Sequence, residues 1–253
     1  MPVQRAPQRQ RPPSPADDWA LFLDVDGCLI DFSETPEGVV VPPGLPALLD
    51  ALSHRLDGAL ALVSGRTLAS LDTLFAPMQL PAAGLHGLER RHAGVRSAPP
   101  TAPPALTAIR DDARRLAAKY PGTLVEDKGA AIALHWRAEP LAASDFEAFA
   151  MAALLQLPGY RLQHGDHVIE LRPAQADKGD AISAFLDEAP FRGRLPVFAG
   201  DDLTDEHGFD IVNARGGITV LVGAREPSAA RCHLDDPAAL RAWLGLQPGD
   251  TTR

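Results

Sequence analysis

Apolar runs that stop abruptly at polar or glycine residues mark both ends of the chain. Residues 20–23 (ALFL) and 59–63 (ALALV) are apolar throughout, as expected of strands buried on both faces. Between them Leu45, Leu48, Leu49, Leu52 and Leu56 recur at helical spacing, so strand, helix and strand make one doubly wound unit. The pattern returns late in the chain, with Ile182, Phe185 and Leu186 on a predicted helix and apolar strands at 195–199 and 218–222. The middle third reads differently. Helical stretches at 109–120 and 141–157 alternate with short strands at 123–126, 131–136, 160–163 and 167–171. The turn sequences Asp127-Lys128-Gly129 and Gly165-Asp166 suit antiparallel hairpins. A proline cluster at 97–104, and Pro173 with the polar residues to 177, bound this stretch. The expected fold class is therefore α/β: a doubly wound parallel-sheet core (19–100 and 173–246) with an inserted smaller α+β cap (101–172). Residues 1–18 hold five prolines and three arginines but almost no large apolar residue. Burial cannot offset their ordering entropy, so a loose tail is expected there, with a second at 247–253.

Composition narrows the partners. A chain of 253 residues with 45% hydrophobic and 23% charged residues has the usage of an ordinary globular protein, with one large or two modest cores. The net charge of −9 gives no global positive field for nucleic acid or acidic lipid, so neither nucleic acid nor membrane is expected as a partner. Two cysteines, Cys28 and Cys232, make neither a disulfide framework nor a four-thiolate zinc site. No run approaches the roughly 18 apolar residues of a membrane span. A cytoplasmic monomer acting on a small molecule is expected.

The chemistry gathers at strand ends. In LFLDVDGCL an apolar strand runs into Asp24 and Asp26, two apart and hence on one face, where ligands of open α/β sheets collect. A solvated Asp-Gly turn is the alternative; a calcium loop fits poorly, since Leu29 and Thr35 stand where glycine and glutamate are needed. ALALVSGRT places Ser64 at a second tip, before Gly65 and Arg66, where hydroxyl and backbone N–H groups suit a phosphoryl oxygen and also suit a helix cap. Lys178 opens a helix in ADKGDAI and is otherwise a solvated lysine. VFAGDDLTDE delivers Asp201, Asp202 and Asp205. Helix capping explains some of these acids, but not five aspartates at two strand tips. Two charges about 4 Å apart repel by roughly 4 kcal/mol at an effective dielectric near 20, so several carboxylates in one crevice need a cation. An all-oxygen site suits Mg2+, with Lys178 supplying further positive charge.

In this order the four pieces resemble the haloacid dehalogenase superfamily of phosphatases. DVDGCL, DGALALVSGR, GLHGLERR, VEDKGAAIALHWR, VIELRP, ADKGDAI and GDDLTDE together are similar to the bacterial trehalose-6-phosphate phosphatases, over residues 19–246. The resemblance implies a core of the superfamily's type and hydrolysis of trehalose 6-phosphate, the last step of trehalose biosynthesis. It implies that Asp24 is the nucleophile and forms an aspartyl-phosphate. Mg2+ would be held by Asp24, the Asp26 carbonyl and Asp201, with Asp202 or Asp205 orienting the site. Lys178 and Ser64 would contact the transferring group. Asp26 would protonate the departing sugar oxygen and then activate water, for which it must begin protonated. In the cap, Glu126, Lys128 and Glu170 would contact the glucose units, with Arg66, His86 and Arg137 in the substrate's neighbourhood. Cys28 stands where the superfamily usually has threonine; a thiol is a weaker hydrogen-bond partner, so slower chemistry is expected there. A related sugar phosphatase or phosphomutase with the same core, a phosphorylation-switch receiver and a silent partner domain are the other readings. The large insertion and the placing of Asp26 weigh against the receiver.

Overall fold

All five residues of β1 (Trp19–Leu23) are buried, which is why its sequence carries no polar alternation. The computed structural model describes residues 9–33 and 38–246. β1 is followed by α1 (Leu45–Arg55), β2 (Leu60–Val63), α2 (Leu68–Leu74) and β3 (Ala82–Gly84), then by a hairpin of β4 (Glu89–His92) and β5 (Val95–Ser97). The middle of the chain forms α3 (Pro104–Ala117), β6 (Leu124–Asp127), β7 (Ile132–His135), α4 (Ala143–Leu154), β8 (Tyr160–Gly165) and β9 (Val168–Pro173). The chain then returns through α5 (Lys178–Leu186), β10 (Leu195–Gly200), α6 (Glu206–Ala214), β11 (Ile218–Val222), β12 (Cys232–Leu234) and α7 (Pro237–Leu244).

Two sheets result. The larger runs β12-β11-β10-β1-β2-β3-β4-β5, parallel from β12 to β3 and antiparallel across the terminal hairpin. The smaller is wholly antiparallel, β6-β7-β9-β8, and forms the cap. Each has its own apolar core. Phe22, Phe185 and Phe191 pack ring against ring beside the large sheet, with centroids 5.1–6.0 Å apart. Under the cap sheet, Ile132, Leu134, Ile169 and Leu171 meet Ile109 of α3 and Phe146 of α4. Among the described residues no helix is long and apolar enough to cross a membrane.

Helices α2, α6 and α7 were not predicted, and three further features differ from the sequence reading. α3 begins at Pro104 rather than residue 109, because a proline is tolerated in the first helical turn, where its missing N–H has no intrahelical partner anyway. The strands β3, β4, β5 and β12 were not foreseen: they are three or four residues long, and β4 and β5 are polar. The loose tail expected at 1–18 does not hold for residues 9–18. Arg9 donates to the Ala230 and Ser228 carbonyls (2.7 and 2.9 Å) and pairs with Glu226. Gln10 accepts from the His233 N–H (3.0 Å), and Trp243 Nε1 donates to the Pro13 carbonyl (2.8 Å). Polar contacts, invisible to a count of apolar residues, hold this segment. The rest of that tail, and the tail expected at 247–253, lie outside the described residues.

Candidate active site

β1 lies between β10 and β2, so the residues that follow these strands meet where the order of connections reverses. The main chain ties the tips together: the Asp24 N–H donates to the Ala199 carbonyl (3.0 Å) and the Ser64 N–H to the Ala83 carbonyl (2.9 Å). Lys178, the first residue of α5, is buried here and reaches Asp24 Oδ1 at 2.9 Å and Asp205 Oδ1 at 2.7 Å. Burial works against its charge, but Asp205 and Asp24 outweigh that cost and hold it above the ordinary lysine range. The other Asp205 oxygen accepts the N–H groups of Asp201 and Asp202, both at 3.0 Å, bracing the turn that follows β10.

Carboxylate oxygens of Asp24, Asp201 and Asp205 lie within 4.8 Å of one another. Burial pushes Asp24 up to about 7, with Asp205 adding to the rise and Lys178 opposing it. Burial, then the charges of Asp24 and Asp205, push Asp201 well up. One ammonium therefore does not offset three acids. Oδ1 of Asp201 is also buried without a hydrogen-bond partner among the described residues, an arrangement that costs free energy unless something binds there. Clustered oxygen donors with an orphaned member fit a hard divalent cation. Asp205, rather than Asp202, is the third member of this cluster, but its two oxygens already accept from Lys178 and from the Asp201 and Asp202 N–H groups, so it braces the other two acids. The Asp202 carboxylate accepts the Leu203 N–H (2.6 Å) and caps a short 3-10 turn.

Asp26 is held by a guanidinium fork. Arg66 Nε and Nη2 donate to its two oxygens at 2.7 Å each, joining the β1 tip to the β2 tip. The expectation of an Asp26 waiting to donate a proton is thus qualified, since both oxygens already accept. Ser64 is buried and its Oγ accepts the Arg66 N–H (3.1 Å). Ser64 does not cap α2: Thr67 does.

The cap presents one face of its sheet. Glu126 lies opposite Ala133, Ala133 opposite Glu170, and Glu170 opposite Gln163, so the three polar residues form one cross-strand row around a small residue. His135 and Val168, two residues along, share that face. Lys128, in the β6–β7 turn, donates to Glu170 Oε2 at 2.8 Å and to the Gly65 carbonyl of the core at 3.1 Å. It stands 3.8 Å from Glu126, whose carboxylate is 2.9 Å from His135 Nε2. Lys128 and His86 outweigh burial and hold Glu170 below the usual carboxylate range. Its Oε1 is nevertheless buried with no partner among the described residues.

Core and cap together line one open cleft. Asp24, Asp26, Ser64, Arg66, His86, Lys178 and Asp202 line it from the core, and Glu126, Lys128, Arg137 and Glu170 from the cap. Asp201 opens instead into an adjoining cleft.

The trehalose-phosphatase family model matches residues 22–238. This chain belongs to the trehalose-phosphatase family. It is 46% identical over 214 residues to a probable trehalose-phosphate phosphatase of Sinorhizobium fredii, covering 84% of this chain and 81% of that one. It is 42% identical over 213 residues to the trehalose-6-phosphate phosphatase of Escherichia coli, covering 84% and 80%. The solved C-terminal domain of the C. albicans trehalose-6-phosphate phosphatase shares its fold, with a TM-score of 0.77 at 21% identity over 94% of this chain and 93% of that one. Family membership makes this trehalose-phosphatase a phosphoric monoester hydrolase.

Among the further residues that line the cleft of this trehalose-phosphatase and were not singled out from sequence are Phe32, His135 and Gln163. Gln163 becomes legible once the hairpin register around Gly165-Asp166 sets it opposite Glu170. Phe32 carries no local signal. Cys28 is fully buried, and burial together with the neighbouring Asp24 pushes its thiol well up, so it packs as a neutral thiol beneath the site.

His86 marks local strain. Leu85 and His86 take φ values of 50° and 55°, a left-handed conformation rare outside glycine, next to Gly65, where a Cβ would lie 2.6 Å from the imidazole ring. Burial drives His86 down to about 4 despite Glu170, 3.6 Å away. The unfolded chain binds this proton first as pH falls, so stability is lost from about 6.5 down to about 4, by on the order of 3 kcal/mol. His86→Asn, which tolerates the left-handed backbone, is expected to remove that loss. Urea unfolding at pH 7 and pH 5 measures it; an equal fall in both proteins would reject the assignment.

Proposed function

We propose that this chain hydrolyses trehalose 6-phosphate to trehalose and inorganic phosphate through an aspartyl-phosphate on Asp24. The observation that carries the substrate is the polar row of Glu126, Glu170 and Gln163 on the cap sheet, with the Lys128 ammonium on Glu170, facing the cleft that also holds Asp24. Sugar hydroxyls both donate and accept, and a Glu/Lys set answers both needs. The cap at 101–172 then covers a core made of 19–100 and 173–246, and excludes bulk water.

Asp24 attacks phosphorus in line as the bond to the sugar oxygen breaks, and Asp26 gives that oxygen its proton. The Arg66 fork sets the plane of the Asp26 carboxylate. For this transfer Asp26 first takes a proton from solvent on one oxygen, in place of the Arg66 contact there, and keeps the other oxygen in the fork. Asp26 then takes a proton from the water that attacks the aspartyl-phosphate, releasing phosphate and restoring Asp24. Lys178 and Ser64 contact the transferring group. Mg2+, held by Asp24, Asp201 and the Asp26 carbonyl with Asp205 and Asp202 orienting them, would neutralise charge on phosphate and nucleophile. Arg137 stands at the rim of the sugar cleft and His86 backs Glu170.

Phosphate release from a panel of sugar phosphates, with and without chelator, tests this reading. Trehalose 6-phosphate is expected to be turned over fastest, without a bisphosphate activator, and chelation is expected to stop turnover until Mg2+ is restored. Glu170→Ala is expected to lower kcat/KM on trehalose 6-phosphate by roughly 10- to 100-fold, the value of a charge-assisted hydrogen bond, and on p-nitrophenyl phosphate by about threefold or less. Equal losses on both esters would take the sugar-reading role away from Glu170.

A further inference from the structure

Phe32 belongs to the core loop that follows the Asp24 strand, and is 51% exposed although it forms part of the cleft wall. One side of its ring lies on Gly27, whose φ of 75° needs a glycine. A Cβ there would come within 2.4 Å of the Phe32 ring and 2.3 Å of Asp201 Oδ2. From the cap, the Arg137 guanidinium stands 5.3 Å from the ring centroid. Arg137 is itself fixed by Asp166, through an ion pair at 2.8 Å and a hydrogen bond to its carbonyl at 3.0 Å. Asp166 is the tip of the β8–β9 hairpin, and a Cβ on the adjacent Gly165 would lie 3.1 Å from Asp202 Oδ2. The hairpin tip therefore comes down beside the core acids while Arg137 comes down on the phenyl ring. An isolated exposed cation–π contact is commonplace; here both partners are held, one by the loop of the reacting carboxylates and one by the cap.

We infer that Phe32 and Arg137 form a latch between core and cap, in which the ring is a positioning residue that ties cap closure to the Gly27 turn of the phosphoryl site. The inference rests on the proposed sugar-phosphate reading. A latch that favours the closed form raises the fraction of protein competent to hold the substrate, so its loss appears in KM more than in kcat. Phe32→Leu and Arg137→Gln are each expected to raise KM for trehalose 6-phosphate roughly 3- to 10-fold at nearly unchanged kcat. The double variant is expected to be no worse than the weaker of the two singles, and Phe32→Tyr to stay within about twofold of wild type, since it keeps the aromatic face. Spin labels at Val95→Cys and Met151→Cys, both exposed positions, in a Cys232→Ser background, are expected to show a broader core-to-cap distance distribution in Phe32→Leu. Additive losses in the double variant, a Tyr variant as impaired as Leu, or an unchanged KM would each overturn the latch. Failure of the wild-type chain on trehalose 6-phosphate would overturn the substrate reading instead. The distance measurement would still decide the latch, which an unchanged distribution in Phe32→Leu rejects.

Discussion

Asp24→Asn is expected to abolish phosphate release, by on the order of 10⁴-fold or more, while leaving the fold in place. The amide cannot act as the attacking carboxylate, and every later step depends on the acyl-phosphate that attack creates. Folding is expected to survive because the substitution removes a charge that burial already disfavours, shown by the upward push on Asp24 to about 7. Lys178 also keeps its second partner, Asp205, at 2.7 Å. Urea unfolding in chelator is therefore expected to stay within about 1 kcal/mol of wild type. Substantial turnover by a folded Asp24→Asn protein would show that another group attacks phosphorus.

Lys178→Met is expected to damage both stability and chemistry. The side chain is buried, and its ammonium is the cation that Asp24 and Asp205 share. Methionine fills similar space but leaves two buried carboxylates uncompensated, and breaking a buried pair in this way costs about 3–5 kcal/mol. In chelator the variant is expected to unfold at a clearly lower urea concentration. Added Mg2+ is expected to narrow the gap, because a ligand that binds only the folded state stabilises it. Turnover is expected to fall by roughly 10²- to 10³-fold through lost stabilisation of the transferring group. A variant as stable as wild type in chelator would mean that the two acids carry no charge needing that ammonium.

The parts of the fold legible in the sequence are those where burial alone decides the residue type. β1 and β2 are covered on both faces, so their apolar runs could hardly be anything else. The cap hairpins announce themselves through turn residues and alternation. β3 and β4 do not, because short strands beside a sheet edge are specified by partners rather than by their own residues. The Asp24, Asp201, Asp205 and Lys178 constellation follows from strand ends that converge. Choosing Asp205 over Asp202 does not, since the two differ only in which way the turn after β10 rotates them. The Arg66 fork on Asp26 and the Arg137 guanidinium over Phe32 join residues far apart in the chain through side-chain geometry, which no local pattern encodes.

Lys128 bonds at once to Glu170, in the cleft proposed to hold the sugar, and to the backbone of Gly65 across the seam between the two sheets. On the proposed reading, one ammonium serves recognition and docking together. A lineage that drifted toward a different carbohydrate by replacing it would also alter how readily its lid seats. Selectivity and gating in this molecule are consequently expected to evolve as a coupled trait.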